Sequence, residues 1–402
     1  MGEIRTKRGF PHQSSAGHGV DILLHPHAGD RASIRRYLVT RSLMRTTPQA
    51  DSAAELDEAI RLSRAGRMKE GLKTALAVAQ RLRPHGDGPM LRRALNTLAI
   101  CQAAQGRFIE AVSHCLDVYE RAHEANDQLA ECHALATLAA SAGMILETDE
   151  GGHPVLRHCL EVAIGQGDVT LEARVRSLLC IRLGTMGQFD EAERENHAAL
   201  KLAMTGGGLL TPRSLLLLNL AVLAAKRLRA ATGPDRPALA SAARARTTEA
   251  MAIAQQEGNA VLAARIHFNF GDIDRIVGDA ASALVQFDHA LAIEENFRSP
   301  TFLSNLLMAR SEVLISLSRW DDALAASLRA FHQAEQHRPA RDTATAAANL
   351  ASLYSRRGEP ELAAQWQARA DAETADFLRE SRLVREKLIE LWSQQSRWAA
   401  AA

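Results

Sequence analysis

Aromatic side chains are scarce, at 4% of 402 residues, and lysine is rarer still, with six copies against forty-two arginines. No stretch sustains the apolar–polar alternation of a half-buried strand, so a sheet protein is not expected. The longest apolar run, Leu215 to Ala225, is eleven residues with Asn219 inside it, too short to span a bilayer. Cysteine is sparse and unpatterned. Cys101, Cys115, Cys132, Cys159 and Cys180 are odd in number and contain no C-x-x-C, which fits a reducing cytoplasm rather than a disulfide framework. The formal net charge of +1 gives no global bias towards nucleic acid or membrane.

Motifs of chemistry are missing too. There is no G-x-S-x-G. Gly206-Gly207-Gly208 lacks the Lys-Ser/Thr and the preceding strand of a phosphate loop, and reads instead as a hinge between two halves. His114-Cys115, Cys132-His133 and His158-Cys159 invite a zinc reading. Neighbours on a helix point about 100° apart, however, so none of the three pairs can close on one ion. Glu294-Glu295 and Asp321-Asp322 are adjacent helical acids of the same kind, read as solvated caps. The arginines Arg174, Arg176, Arg182, Arg244 and Arg246 cluster in sequence, but Glu172, Glu191, Glu193 and Glu195 offset the first group and no helix-turn-helix signature is visible. Direct nucleic-acid binding is therefore not expected.

What is present is a period. Gly278-Asp279-Ala280 opens a short amphipathic segment in which Ala283, Phe287 and Ala290 recur on one helical face. Forty residues on come Ser318-Arg319-Trp320 with Ala323 and Ala330, and forty further Gly358 with Ala363 and Ala370. Earlier copies are Gly66 with Gly71 and Ala75, Gly106-Arg107-Phe108 with Ala111, Cys115 and Val118, and Gly187-Gln188-Phe189 with Ala192 and Ala199. The drifting copies carry insertions, in Thr148–Gly152 and in Thr232–Pro237. Eight units fit between about residue 52 and residue 376. Asn219-Leu220-Ala221, Asn269-Phe270-Gly271 and Asn349-Leu350-Ala351 mark first helices of units, with Asn96 in a looser version.

Two helices per unit, small residues where they cross, and a Gly-polar-aromatic-x-x-Ala turn together resemble the tetratricopeptide repeat, in its forty-residue form similar to MalT-like bacterial regulators. Pro360 and Ala280 stand where that pattern has an aromatic. The resemblance implies an all-α, right-handed α-solenoid of about eight helix pairs with a C-terminal capping helix. It implies protein or peptide binding without catalysis or cofactor, as a cytoplasmic scaffold or sensory-regulatory module. It also implies a concave groove whose inward candidates are Asn96, Arg174, Asn219, Arg265, Asn269, Asp272, Asn305, Glu312 and Asn349. An asparagine amide can bond a peptide backbone, or simply brace the next helix.

The expected organisation is a basic, disordered leader over 1–50, repeats over 51–376 and a terminal helix over 377–402. The leader holds His12, His18, His25 and His27 and a basic stretch Arg31–Met44, and Met44 is a candidate start. In the terminal segment Phe377, Val384, Leu388, Leu391 and Trp398 fall on a 4-3 spacing. That helix is read as a cap on the last repeat, or as a homodimer coil. A further alternative is that it controls a separate enzyme, such as a diguanylate cyclase, or a transcription factor. No such output domain is expected within the 402 residues.

Overall fold

The computed structural model describes residues 48–146, 152–205, 211–297, 299–337 and 340–393. Residues 1–47 of the basic leader, Met44 among them, the Gly206–Gly208 hinge and Trp398 lie outside them, while residues 48–50 of that leader are helical. Two compact units divide the chain, Met1–Ala53 and Ala54–Ala402. Of the first, residues 48–53 are described, as the opening of a helix.

Among the described residues there are sixteen α-helices and no strand. They run α1 Pro48–Arg64, α2 Met68–Leu82, α3 Pro89–Ala104, α4 Phe108–Glu124, α5 Gln128–Ala142, α6 Gly152–Gln166, α7 Val169–Thr185 and α8 Phe189–Thr205. The series continues with α9 Arg213–Ala230, α10 Arg236–Gln256, α11 Ala260–Val277, α12 Ala280–Phe297, α13 Pro300–Ser316, α14 Trp320–His337, α15 Ala340–Arg356 and α16 Pro360–Ser393. These are eight antiparallel pairs, the helical repeat solenoid that the period implies.

The turn inside a pair explains the glycine signature. Gly66, Gly106, Gly187, Gly278 and Gly358 all hold positive φ, so the chain reverses in a left-handed residue where a side chain would be strained. The seventh pair uses Ser318 there instead, at φ 59°. A left-handed L-residue costs about 1–2 kcal/mol. Glycine returns part of that gain through its larger unfolded-state entropy, so Ser318→Gly is expected to stabilise the chain by about 0.5–1 kcal/mol, read as a higher denaturant midpoint.

Small residues do set the crossing. A Cβ placed on Gly271 would lie 2.5 Å from the Phe287 ring and 3.1 Å from the Ala283 carbonyl, so α11 and α12 meet almost backbone to backbone. Phe287 is fully buried in that gap. The N-termini of three first helices are capped by Asp127, Asp168 and Asn259, each accepting a backbone N–H from the third residue on.

First helices also pack on the first helices of neighbouring pairs: α3 on α5, α5 on α7, α7 on α9, α9 on α11 and α13 on α15. The second helices form no comparable series, so the array bends with its first helices on the inside. Within residues 54–402 it bends far enough to meet itself. Gly66 sits against Val261 and Phe297, such that a Cβ would lie 2.8 and 2.4 Å from them. Arg341 donates to the Gly143 carbonyl at 2.6 Å. Both contacts join positions about five repeats apart.

The terminal helix differs from expectation in two ways. With no glycine or proline after Pro360, the second helix of the last pair does not stop near 376 but runs on as one 34-residue helix. Its far end reaches back to α4. There Leu388, Leu391 and Trp392 are buried in the largest apolar cluster, with Cys115, Leu116, Leu156 and Cys159, and Lys387 pairs with Glu120 at 3.2 Å.

Candidate functional site

Many of the described arginines find a structural use first. Arg92 is 5% exposed and held between Asp87 at 2.6 Å and Asp127 at 2.9 Å. Arg93 reaches Asp57 in the preceding pair, Arg329 reaches Glu295 and Arg357 reaches Asp321. Arg176 bridges Glu172 and Glu195, while Arg244 binds Asp274 and Arg246 binds Glu193. The planar guanidinium fork suits such bridges within and between repeats better than a lysine would.

Several predicted groove residues turn out to brace neighbouring helices. Asn219 donates to Ser177 in the pair before it at 2.9 Å. Asn269 is buried and donates to Thr247 at 2.9 Å. Asn349 reaches the Met308 sulfur. Asp272 is taken by Arg229 and, at 2.8 Å, by Arg275. Glu312 is exposed and lies 3.3 Å from Arg275; it lines a shallow recess with Asn349, Met308 and Arg356. Asn305 is exposed. Arg265 is solvent-accessible on α11, 5.5 Å over the Phe302 ring, yet the protein around it is dense enough that desolvation lowers its pKa despite Glu294 nearby.

Glu294 corrects the reading of Glu294-Glu295 as a solvated pair. It is fully buried and accepts the Ser299 backbone N–H at the start of α13, and burial raises its pKa. Sequence spacing missed this because the acid serves the next helix rather than its own.

The remaining two candidates, Asn96 and Arg174, come together. They line a pocket of about 480 Å³ on the inner wall, built from α1, α3, α5 and α7 with Arg64, His133 and Asp168. A hydrogen-bond relay crosses three of those helices. Arg174 Nη2 donates to Thr137 Oγ1 at 2.8 Å, and that hydroxyl donates to Asn96 Oδ1 at 2.9 Å. His133 Nε2 lies 3.3 Å from Asp168, whose pKa is lowered by that contact and by the backbone amides it caps. Ile60, Ile100, Val118 and Leu129 supply an apolar side.

Arg64 is the residue that sequence reasoning passed over. It closes the last turn of α1 and its Nη1 is buried without a hydrogen-bond partner. Burial, with the Arg174 charge facing it, pushes its pKa down to about 10. No local pattern marks an arginine as unpaired. Only the fold shows that the nearby acids are engaged elsewhere.

The five cysteines are all buried. Burial pushes the Cys115 and Cys180 thiols up to about 12, as expected of packing residues. Among the described residues no group of three or more His, Cys, Asp or Glu could hold a metal ion. No described helix is long and apolar enough to cross a membrane.

No protein-family profile and no curated protein matches the chain. Solved structures do. A Rap protein complexed with Competence and Sporulation Factor is 13% identical, with a TM-score of 0.56 over 87% of this chain and 99% of that one. The Rap conjugation gene regulator of plasmid pLS20 in complex with the Phr* peptide is 10% identical, with a TM-score of 0.48 over 82% and 96%. Yeast Tom70 is 15% identical, with a TM-score of 0.47 over 82% and 61%. At 13% identity the likeness to the first of these is one of fold alone, an array of helix pairs.

Proposed function

We propose that the chain is a non-catalytic binding module of the cytoplasm, whose inner wall of first helices takes a peptide or an extended protein segment. It would serve as a scaffold or as the sensing part of a regulator. The observation that carries this reading is the pocket on that wall, which combines an apolar side with Arg64, Arg174 and Asn96. A Rap protein of the same fold has been solved with Competence and Sporulation Factor bound, which supports a ligand-holding role.

Panning a displayed library of random peptides against the full chain tests this. A consensus should emerge whose affinity falls about tenfold or more in Arg174→Met, with helical content by circular dichroism unchanged. No enrichment over bare support, or enriched peptides indifferent to changes on the inner wall, would overturn it.

Control of a separate enzyme or transcription factor through α16, or a homodimer there, is the second reading. The predicted stripe of Val384, Leu388 and Leu391 is already packed within the chain. Such a contact would use Leu383 and Ile389, which are 67% and 55% exposed. Sedimentation of the full chain against Leu383→Glu distinguishes the two, since only a dimer through α16 would dissociate.

A further inference from the structure

We propose that the pocket on the inner wall is a small-molecule site, in which Arg64 and Arg174 hold the dianionic head of a compact organic phosphate monoester. The proposal goes beyond the peptide reading and stands without it, because binding is measured with no peptide present.

Charge balance points to a dianion. The carboxylates lining the pocket are engaged: Asp57 by Arg93, Asp127 by Arg92, and Asp168 by His133 and the start of α7. None of them pairs with Arg64 or Arg174. Arg174 makes one hydrogen bond, to the Thr137 hydroxyl, which leaves the rest of its fork uncommitted. Arg64 Nη1 has no partner although it is buried. Burial lowers the Arg64 pKa most, and the Arg174 charge facing it adds to that. A buried donor without an acceptor is costly, and two cations in one pocket repel each other. A monoanion would offset only one of the two charges. A phosphate monoester carries close to −2 at neutral pH and offers three acceptor oxygens to two planar forks.

The size and lining of the pocket point to a small organic molecule. Its volume of about 480 Å³, walled by α1, α3, α5 and α7, lies within the range of small-molecule sites. Ile60, Ile100, Val118 and Leu129 offer apolar surface beside the guanidinium groups. Inorganic phosphate would leave that surface wet, whereas the organic body of an ester would bury it. The cation is also held in place in advance. Thr137 accepts from Arg174 and donates to Asn96, so the guanidinium is fixed before a ligand arrives.

The test is calorimetric titration of the full chain with phenyl phosphate, phenyl sulfate and inorganic phosphate. Phenyl sulfate keeps the shape with one charge fewer, and inorganic phosphate keeps the charge without the body. Phenyl phosphate should bind with a Kd of about 1 mM or tighter, and about tenfold or more tightly than either control. Binding should disappear in Arg64→Met, survive in part in Arg64→Lys, and persist in Arg329→Met on α14. Saturating phenyl phosphate should raise the melting temperature of the parent but not of Arg64→Met. Phenyl sulfate bound as tightly as phenyl phosphate would overturn the dianion, and inorganic phosphate bound as tightly would overturn the organic body. A blocked phosphoserine peptide library that binds more tightly than phenyl phosphate would overturn the small molecule as the source of the phosphate. No binding of phenyl phosphate, or binding unchanged in Arg64→Met, would overturn the site itself. None of these results bears on the outcome of peptide panning, so the two readings fail separately.

Discussion

Truncating Leu388 and Trp392 together to alanine is expected to cost about 5 kcal/mol or more. Both side chains are buried in the apolar cluster that α16 completes against α4. Removing them leaves a cavity that neither helix can close without moving. The ion pair beside them, Lys387 to Glu120, is more than half exposed on both sides and contributes little against that loss. The far end of α16 should therefore leave α4, which would lower the denaturant midpoint and increase the radius of gyration in solution scattering. Ile389→Ala, one residue from Leu388 but facing water, should stay within about 0.5 kcal/mol of the parent. An unchanged midpoint in the double variant would mean that α16 does not dock.

The opposite sign is expected at Arg64. Its pKa is pushed down from 12.5 to about 10, so the folded state disfavours the charged form that prevails at neutral pH. A tenfold change in acid dissociation corresponds to about 1.4 kcal/mol, and discounting for partial solvent access leaves a gain on the order of 1–3 kcal/mol for Arg64→Met. For a base whose folded pKa is depressed, the cost is present in full below the folded value and fades as pH rises from about 10 towards 12.5. The gain should thus be equal at pH 7 and pH 9, measured by denaturant unfolding. Arg93→Met should show no gain, because Arg93 has Asp57 at 2.6 Å. A destabilised Arg64→Met would mean that its guanidinium is satisfied in the folded chain.

How much of this was legible in the sequence depends on the range of the interaction. Gly66, Gly106, Gly187, Gly278 and Gly358 could be read as turn residues because the requirement for left-handed backbone is local, and even Ser318 fell into register. Eight pairs followed from that register. The closure of the array was not legible. The contact of Arg341 with Gly143 depends on small rotations summed over five repeats, and no single repeat encodes that sum. The 4-3 stripe on α16 was visible, but its partner was not; α4 of the same chain takes the side chains that were expected to cover the last repeat or to meet a second coil.

The groove residues divide along the same line. Asn219 and Asn269 have the spacing of inward residues, and a brace between repeats needs that spacing too. Asn96 and Arg174 were chosen on the same grounds and line a pocket because Thr137 ties them together. Arg64 carried no signal, since being unpaired is a property of everything that fails to reach it.

The central claim is that the helices turn back on themselves, so that the wall of first helices encloses the site. Zero-length carbodiimide coupling of the full chain tests it most directly, because Lys387 and Glu120 are 267 positions apart in sequence and 3.2 Å apart in the fold. The account predicts a Lys387–Glu120 isopeptide recovered by mass spectrometry from monomeric protein. Lys387 coupled only to acids of its own helix, or only between chains, would contradict it.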